Sequence, residues 1–368
     1  MTEAMTETED TRIPVMILTG FLGAGKTTLL NRIVTGDHGR KYAVVVNEFG
    51  EIGIDNDLIV DTDEEIFEMS NGCICCTVRG DLIRTLHQLL GKGGKFDGIV
   101  IETTGIADPG PVVQTFYVDA LLQAKTYVDA ITTVVDAKHI LLRLKDAREA
   151  VEQVAFADQI VLNKTDTVDE AELRRIEAEL RQINSLAPIF RTTRSQVPLD
   201  TILERRAFDI DHILSLEPDF LNPPHGEEGH VHDEHCGHDH HGHGHDHHDH
   251  GHVHDEHCGH DHDHHEHNHG IESIALTSDK PFNLEKISYW LETLVATQGQ
   301  DILRAKGIID IEGEDRRLVF QAVHMLLEGD YQRPWKPDEK RYSRLVFIGR
   351  KLNKKELAEW FHACEARS

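Results

Sequence analysis

Basic side chains are scarce in this 368-residue sequence, which has 38 Lys and Arg against 65 Asp and Glu and a formal net charge of -27. Recognition of nucleic-acid phosphates requires clustered Lys and Arg, so this balance argues against a nucleic-acid-binding protein, and it also disfavours binding to an anionic membrane surface. Twelve of the acidic residues lie between residues 225 and 270, a stretch without Lys or Arg, and the rest of the chain is still acidic.

Long apolar runs are also missing, and cysteine is rare. No run approaches the roughly 20 apolar residues that a membrane-spanning helix needs. The polar segment Met1–Asp10 lacks the basic start and the apolar core of a signal peptide. Three of the six cysteines fall within four residues, a spacing that does not suit a secreted disulfide framework. We therefore expect a cytoplasmic protein without membrane or nucleic-acid partners.

Residues 13–220, after a disordered N-terminus over residues 1–12, alternate short apolar runs with longer amphipathic stretches. This pattern predicts an α/β domain, in which helices cover a mostly parallel buried sheet. The predicted strands are Val15–Thr19, Ala43–Asn47, Ile99–Glu102, Ala130–Val135 and Gln159–Leu162. The predicted helices are Thr27–Val34, Asp81–Leu90, Pro111–Leu122 and Glu170–Ile183.

Residues 221–270 form a histidine-rich segment, with 21 histidines from His225 to His269 among Asp, Glu and Gly. Large apolar side chains are nearly absent, so we predict a metal-binding linker that is disordered without metal. Residues 229–240 recur identically as residues 251–262, and each copy carries one cysteine.

Residues 271–368 return to a globular composition and predict a small α+β domain with the element order βαβββα. The predicted elements are Ser273–Leu276, Leu284–Ala296, Arg304–Ile311, Arg317–His324, Arg344–Ile348 and Lys354–Cys364. The isolated Cys364 lies in the amphipathic closing helix and is predicted to be a core residue.

The segment from Gly20 to Thr28 matches the P-loop pattern Gly-x4-Gly-Lys-Thr between a buried strand and a helix start. Its glycines let backbone N–H groups surround phosphate oxygens, Lys26 neutralises the β- and γ-phosphates, and the Thr27 hydroxyl reaches Mg²⁺. The phosphate-binding residues predicted from this motif are Gly20, Gly23, Gly25, Lys26, Thr27 and Thr28.

Asn163, Lys164 and Asp166 follow the last predicted strand of this domain and match Asn-Lys-x-Asp. Asp166 can accept hydrogen bonds from the ring and exocyclic N–H groups of guanine, which adenine lacks in those positions. The tetrapeptide alone is a weak signal, but beside a P-loop it favours GTP over ATP. Ser195 is a further candidate for contact with the base.

Two acidic segments are candidates for sensing the γ-phosphate. Glu102 ends a strand and precedes Thr-Thr-Gly105, as expected where a P-loop enzyme organises magnesium, so it is predicted to be catalytic together with Lys26 and Thr27. Glu48 opens a glycine-hinged loop that suits a switch and extends to Asp55. The alternative for Glu102 is a carboxylate that only caps the end of its strand. The alternative for the loop after Glu48 is a solvated turn.

Cys73, Cys75 and Cys76 bring three thiols into one short loop. Soft thiolates select zinc, Cu(I) or a similar ion, and Glu48, a histidine, water or a partner could supply the fourth ligand. The spacing is shorter than that of a zinc finger and does not by itself establish a site. Inert or redox-active thiols are the alternative.

These motifs together resemble the CobW group of GTPases, and the resemblance extends over the whole chain. The segments that carry it are Gly20–Thr28, Cys73–Cys76, Glu102–Gly105 and Asn163–Asp166. The resemblance implies a GTPase whose nucleotide state governs metal binding at the three thiols, with Glu48 as a neighbouring ligand, and which passes the metal to a client metalloprotein. The expected cofactors are GTP, Mg²⁺ and Zn²⁺, with Co²⁺ or Ni²⁺ as other possibilities.

Two other functions remain open from the sequence. The first is a cobalt chaperone for cobalamin synthesis, which would differ in its client rather than its fold. The second is a histidine-rich metal buffer with a regulatory GTP site. No glutamine or arginine finger is evident in the sequence, so we expect slow unassisted hydrolysis that a partner accelerates. The client and the oligomeric state do not follow from the sequence.

Overall fold

The computed structural model describes residues 11–46, 66–68, 77–91, 96–205, 270–337 and 339–366. The first domain contains a parallel sheet of seven strands in the order β3-β2-β4-β1-β5-β6-β7. These strands are β1 (Ile13–Thr19), β2 (Tyr42–Val46), β3 (Ile66–Glu68), β4 (Gly98–Glu102), β5 (Thr126–Asp136), β6 (Gln159–Asn163) and β7 (Ile189–Arg191). The predicted α/β fold is therefore confirmed.

Helices cover both faces of this sheet, because its central strands are apolar on both sides. They are α1 (Lys26–Thr35), α2 (Thr77–Gly91), α3 (Gly110–Val118), α4 (Ala120–Lys125), α5 (Ile140–Asp146), α6 (Arg148–Phe156) and α7 (Glu170–Ile183). In β1, Val15 and Ile17 pack in the cluster formed with α2, α3, α5, α6 and α7, whereas Met16 and Leu18 pack with α1 on the other face.

The second domain has a five-stranded antiparallel sheet in the order β11-β10-β9-β12-β8. Its elements are β8 (Ile271–Ser278), α8 (Leu284–Gln298), β9 (Ile302–Ile309), β10 (Arg316–Val323), β11 (Leu326–Pro334), β12 (Ser343–Arg350) and α9 (Lys354–Ala363). Helices α8 and α9 cover one face of the sheet. Cys364 is 4% exposed in this second core, as predicted.

The other face of the antiparallel sheet packs on the first domain, with β8 against α7, β9 against α6 and β10 against α3. Leu303, Ile308 and Val346 belong to the same hydrophobic cluster as the first domain's helices. The two domains therefore share a buried apolar interface, formed by helices of the first and the sheet of the second. Within the described residues, no helix combines the length and the apolar character needed to span a bilayer.

Several predicted elements were wrong or missing. The order βαβββα is incorrect because β11 adds a fifth strand, which pairs with β10 at the sheet edge. The single helix over residues 111–122 is two helices, since Asp119 is extended and its carboxylate caps α4 by accepting from the N–H groups of Leu121 and Leu122. Strands β3 and β7 and helices α5 and α6 were not predicted.

Candidate functional site

The phosphate-binding loop leaves the carboxyl end of β1, which lies between β4 and β5 in the parallel sheet. Ligands of open α/β sheets bind in the crevice beyond the carboxyl ends of the strands. Gly25 precedes α1 with φ 111°, so the loop leads directly into the amino-terminal turn of that helix. The helix dipole and its unpaired N–H groups favour an anion there.

Two glycines of this loop lie in conformations and spaces that exclude a side chain. Gly20 has φ 139°, and a Cβ atom there would lie 2.2 Å from the carbonyl oxygen of Val134. At Gly25 it would lie 2.4 Å from Nδ2 of Asn163. The loop therefore needs glycine at these positions for packing against β5 and β6, in addition to its approach to phosphates.

Lys26 and Thr27, the first two residues of α1, form hydrogen bonds with different parts of the site. The Lys26 ammonium, on a residue only 8% exposed, donates to the carbonyl of Gly20 at 2.9 Å. The Thr27 hydroxyl donates to Oε1 of Glu102 at 3.3 Å, although the two residues are 75 positions apart. The structure thus brings together the three residues predicted to be catalytic. Thr28 is exposed in the same turn.

Asn163 connects the phosphate loop to the predicted guanine-recognition segment. Its Nδ2 donates to the carbonyl of Ala24 at 2.9 Å, and its Oδ1 accepts from the Ser195 N–H at 2.8 Å. The Ser195 hydroxyl in turn donates to the carbonyl of Gly25 at 3.1 Å. Asn163 and Ser195 therefore support the loop, while Asp166 is exposed in a short 3-10 turn and is accessible to a base.

Asp136, which was not predicted as a site residue, ends β5 beside the phosphate loop. Lys164 donates both to the carbonyl of Gly23 at 2.7 Å and to the Asp136 carboxylate at 2.8 Å. Burial opposes ionisation of Asp136, but hydrogen bonds from Lys164 and His139 outweigh it and hold the pKa of Asp136 below its usual value. An acidic residue at the carboxyl end of a buried strand is the signal that could have identified it.

The predicted metal ligands Glu48, Cys73, Cys75 and Cys76 lie outside the described residues. Among the residues that the structure does describe, there is no group of three or more His, Cys, Asp or Glu side chains arranged to hold a metal ion. The ends of the elements on either side are described, however. Strand β2 ends at Val46, β3 ends at Glu68 and α2 begins at Thr77.

Comparison with known proteins identifies the family. A model described as CobW/HypB/UreG, nucleotide-binding domain, matches residues 14–191, and one described as cobalamin synthesis protein cobW C-terminal domain matches residues 271–365. The zinc chaperone YjiA of Escherichia coli is 35% identical in an alignment of 354 residues that covers 95% of this chain and 98% of that protein. The chain belongs to the CobW family.

Other members are similar over nearly the same length. The zinc chaperone CobW of Pseudomonas aeruginosa is 35% identical and covers 94% of this chain and 90% of its own. The crystal structure of zinc-bound YjiA GTPase from E. coli matches with a TM-score of 0.71 at 31% identity, covering 96% of this chain and 99% of that one. Membership confirms the resemblance seen in the motifs, and this CobW-family chain is a P-loop GTPase.

Gly25→Ala is expected to weaken GTP binding by about tenfold or more, because strain of about 1–3 kcal/mol at a positive φ would add to the clash with Asn163. Fluorescent-nucleotide titration measures this. Gly39→Ala is the matched control: Gly39 also has a positive φ, 72°, but a Cβ atom there would meet no other residue within 4 Å beyond its chain neighbours. Equal loss of affinity in both variants would contradict the packing argument.

Proposed function

We propose that this CobW-family GTPase binds zinc through Cys73, Cys75 and Cys76, with Glu48 as a further ligand, and delivers it to a client metalloprotein under control of the bound nucleotide. The observation that supports this most is the register of the parallel strands. Val46 at the end of β2 lies opposite both Glu102 of β4 and Glu68 of β3.

All the strands of this sheet run in one direction, so the segments that follow them leave at one edge. The segment after β2 contains Glu48, two residues beyond Val46, and the segment between β3 and α2 contains the three cysteines. Both therefore start from the edge where Glu102 accepts from Thr27. A change at the γ-phosphate would therefore act close to the points where both segments begin.

Similar proteins support zinc as the cargo. Relatives of this chain bear the names zinc chaperone YjiA, zinc chaperone CobW and, for a protein of Schizosaccharomyces pombe, zinc-regulated GTPase metalloprotein activator 1. A second zinc-bound YjiA structure is a triple mutant with one glutamate and two cysteines changed to alanine. That mutant still holds zinc, so it supports zinc as the cargo, and the choice of ligands in this chain rests on the experiment below. Thiolate ligands also require a reducing compartment, which fits the cytoplasm.

Mg²⁺ fits the pair Thr27 and Glu102, whose hydroxyl and carboxylate oxygens are the hard ligands that this ion prefers. When bound, Mg²⁺ neutralises phosphate charge. The rest of the site acts through its own groups: the loop amides bind phosphate oxygens, Lys26 neutralises the β- and γ-phosphates, and Asp166 accepts from guanine. The histidine-rich residues 225–270 would collect ions at low affinity and raise their local concentration.

The decisive experiment measures zinc affinity in two nucleotide states. Protein lacking residues 225–270 is loaded with Mg²⁺ and either GDP or a non-hydrolysable GTP analogue, and zinc and cobalt are titrated separately. We expect a difference in zinc affinity of about 5–150-fold between the two states, the usual range of allosteric coupling, and by linkage zinc should strengthen GTP-analogue binding by the same factor.

Cys75→Ser should weaken the site and remove the difference between nucleotide states, whereas Cys364→Ser should leave both unchanged, because Cys364 is buried in the second domain. Identical affinities in the two states would contradict nucleotide control. Complete loss of tight zinc binding on deletion of residues 225–270 would instead favour the metal buffer. A larger difference between the nucleotide states in cobalt affinity than in zinc affinity would favour the cobalt chaperone.

A further inference from the structure

The segment from Thr103 to Gly110, which runs from Glu102 to the first residue of α3, is held by a buried glutamine from α6. Nε2 of Gln153 donates to the carbonyl of Gly105 at 3.2 Å and to that of Ala107 at 3.1 Å. Gln153 is 1% exposed, and its backbone carbonyl accepts from the Thr133 hydroxyl of β5 at 2.7 Å. This one residue therefore connects the segment to the centre of the sheet.

The held segment borders the phosphate-binding loop. At Gly105 a Cβ atom would lie 2.6 Å from Cδ2 of Leu22 and 2.7 Å from its backbone nitrogen. Gly105 follows Glu102 by three residues, at the side of the loop where the γ-phosphate is sensed in P-loop enzymes. The hydrogen bonds from Gln153 therefore orient two carbonyl groups of a segment that borders the phosphate-binding loop.

The second domain packs against the far end of the same segment, at Gly110. A Cβ atom at Gly110 would lie 2.7 Å from Nε2 of His324, which occupies the turn between β10 and β11 with φ 52°. The Gly110 N–H donates to Oδ1 of Asp108 at 2.8 Å. The imidazole also packs on Phe156, with ring centroids 5.0 Å apart, and Phe156 lies three residues after Gln153 in α6.

We propose that Gln153 and His324 are positioning residues for GTP hydrolysis. Gln153 holds this segment at Gly105 and Ala107, and His324 packs against it at Gly110, so that the second domain takes part in the GTPase reaction. Water attacks the γ-phosphorus, the bond to the β-phosphate oxygen breaks, and the proton leaves with the phosphate product. Neither Gln153 nor His324 exchanges a proton or forms a covalent bond in this step; they act on the geometry of the segment.

A cavity next to Gln153 indicates how the loss of its two hydrogen bonds would change activity. A space of about 250 Å³ lies between the phosphate loop, β5 and α6, and its lining includes Leu22, Gly23 and Gln153. Because Leu22, which Gly105 approaches, also lines this space, we expect the segment to shift together with Leu22 when the amide of Gln153 is lost. The expected consequence is a misplaced Gly105 in an otherwise folded domain.

Gln153→Met removes both donated hydrogen bonds and keeps the length of the side chain. We expect kcat for GTP hydrolysis to fall about tenfold, the factor that corresponds to about 1.4 kcal/mol of activation free energy, while GDP affinity stays unchanged and discrimination between GDP and a GTP analogue decreases. Gln159→Met is the matched control, because Gln159 is also buried and donates twice, to the Thr132 hydroxyl at 2.7 Å and the Ile202 carbonyl at 2.8 Å.

Both glutamine variants should lower the thermal unfolding midpoint. Only Gln153→Met should lower kcat while leaving GDP affinity unchanged. Equal kcat in the wild type and Gln153→Met would overturn the role of Gln153. If Gln153→Met does not fold, Gln153→Glu replaces it: its kcat should recover as the pH falls, since a protonated carboxyl group can donate one hydrogen bond. A kcat for Gln153→Glu that follows the wild-type pH profile would also overturn the proposal.

The contribution of the second domain is tested with His324→Ala against Met325→Ala, a change at an adjacent residue that is 52% exposed. His324→Ala should lower kcat several-fold, and its effect should be non-additive with that of Gln153→Met because both act on one segment. Equal kcat in the two alanine variants would overturn the role of His324.

Discussion

Lys26→Ala is expected to lower kcat for GTP hydrolysis by about 10²–10³-fold, the usual effect of removing one preorganised charge or donor from the developing transition state. The Lys26 ammonium is buried at the start of α1 and already directed across the phosphate loop, where it donates to Gly20. It therefore needs little reorganisation to neutralise a phosphate. Single-turnover hydrolysis measures the loss without interference from product release.

The fold should survive this substitution, because Lys26 is the first residue of α1 and belongs to neither hydrophobic cluster of the sheet. Circular dichroism and the thermal unfolding midpoint should remain close to those of the wild type. Lys125→Ala, at an exposed position on α4, should keep full activity. Normal hydrolysis by Lys26→Ala would mean that this loop does not bind the reacting phosphates.

Asp158→Asn is expected to lower the free energy of unfolding by about 3–5 kcal/mol, the usual cost of leaving buried charges without their partner. The Asp158 side chain is 1% exposed between the two domains. Its carboxylate accepts from Arg304 and, at 2.7 Å, from Lys306, both on β9, and from the backbone N–H of Ile131. Asparagine keeps the shape of the side chain but removes the negative charge.

The pH dependence of this effect follows from the pKa directions. Burial alone would raise the pKa of Asp158, but Arg304 and Lys306 hold it below the usual value. Its stabilising contribution is therefore complete above the ordinary carboxyl pKa and is lost as the pH falls through the lowered one. The difference between wild type and Asp158→Asn should accordingly be large at pH 7 and decrease in acid.

Lys306 adds a second rise in stability on the alkaline side. Burial lowers the pKa of Lys306 to about 8 despite the attraction of Asp158. Between that value and the unfolded pKa the unfolded chain binds more protons, so stability rises with pH. In Asp158→Asn this rise should begin at lower pH, because Lys306 has lost its counter-charge.

Urea unfolding at several pH values tests these statements. Glu359→Gln is the control, since Glu359 pairs with Lys355 on an exposed helix face at 3.9 Å, where ion pairs contribute about 0–1 kcal/mol. An equally small effect of Asp158→Asn would contradict a tight electrostatic connection between the domains.

Local motifs were predictable from the sequence because their chemistry depends on neighbouring residues. Gly20 to Thr28 and Asn163 to Asp166 follow strands that are buried on both faces, and such strands read as continuous apolar runs. The structure places the two motifs together through Asn163 and Lys164. The sequence predicted that Thr27 and Glu102 both serve a magnesium site. It did not predict the 3.3 Å hydrogen bond between their side chains.

The helices and strands that were not predicted have no clear periodic pattern in the local sequence. Helix α6 buries seven of its nine residues, including Glu152 and Gln153, so it lacks the polar face that marks an amphipathic helix. Strand β11 is an edge strand that exposes Glu328 and Asp330, and it is specified mainly by pairing with β10. Strands β3 and β7 contain three residues each, too few for a periodic signal.

The fold class, the phosphate and guanine motifs and the thiol-rich loop could all be read from the chain, because each depends on residues within a few positions of one another. Three-dimensional packing was needed to establish that Gln153 holds Gly105 and Ala107, and that Asp158 pairs with Arg304 and Lys306. Gln153 and Gly105 are 48 positions apart, and Asp158 and Arg304 are 146 positions apart. Such partners become defined only when the packing of two sheets and their helices brings them together, since no local periodicity encodes a contact across that separation.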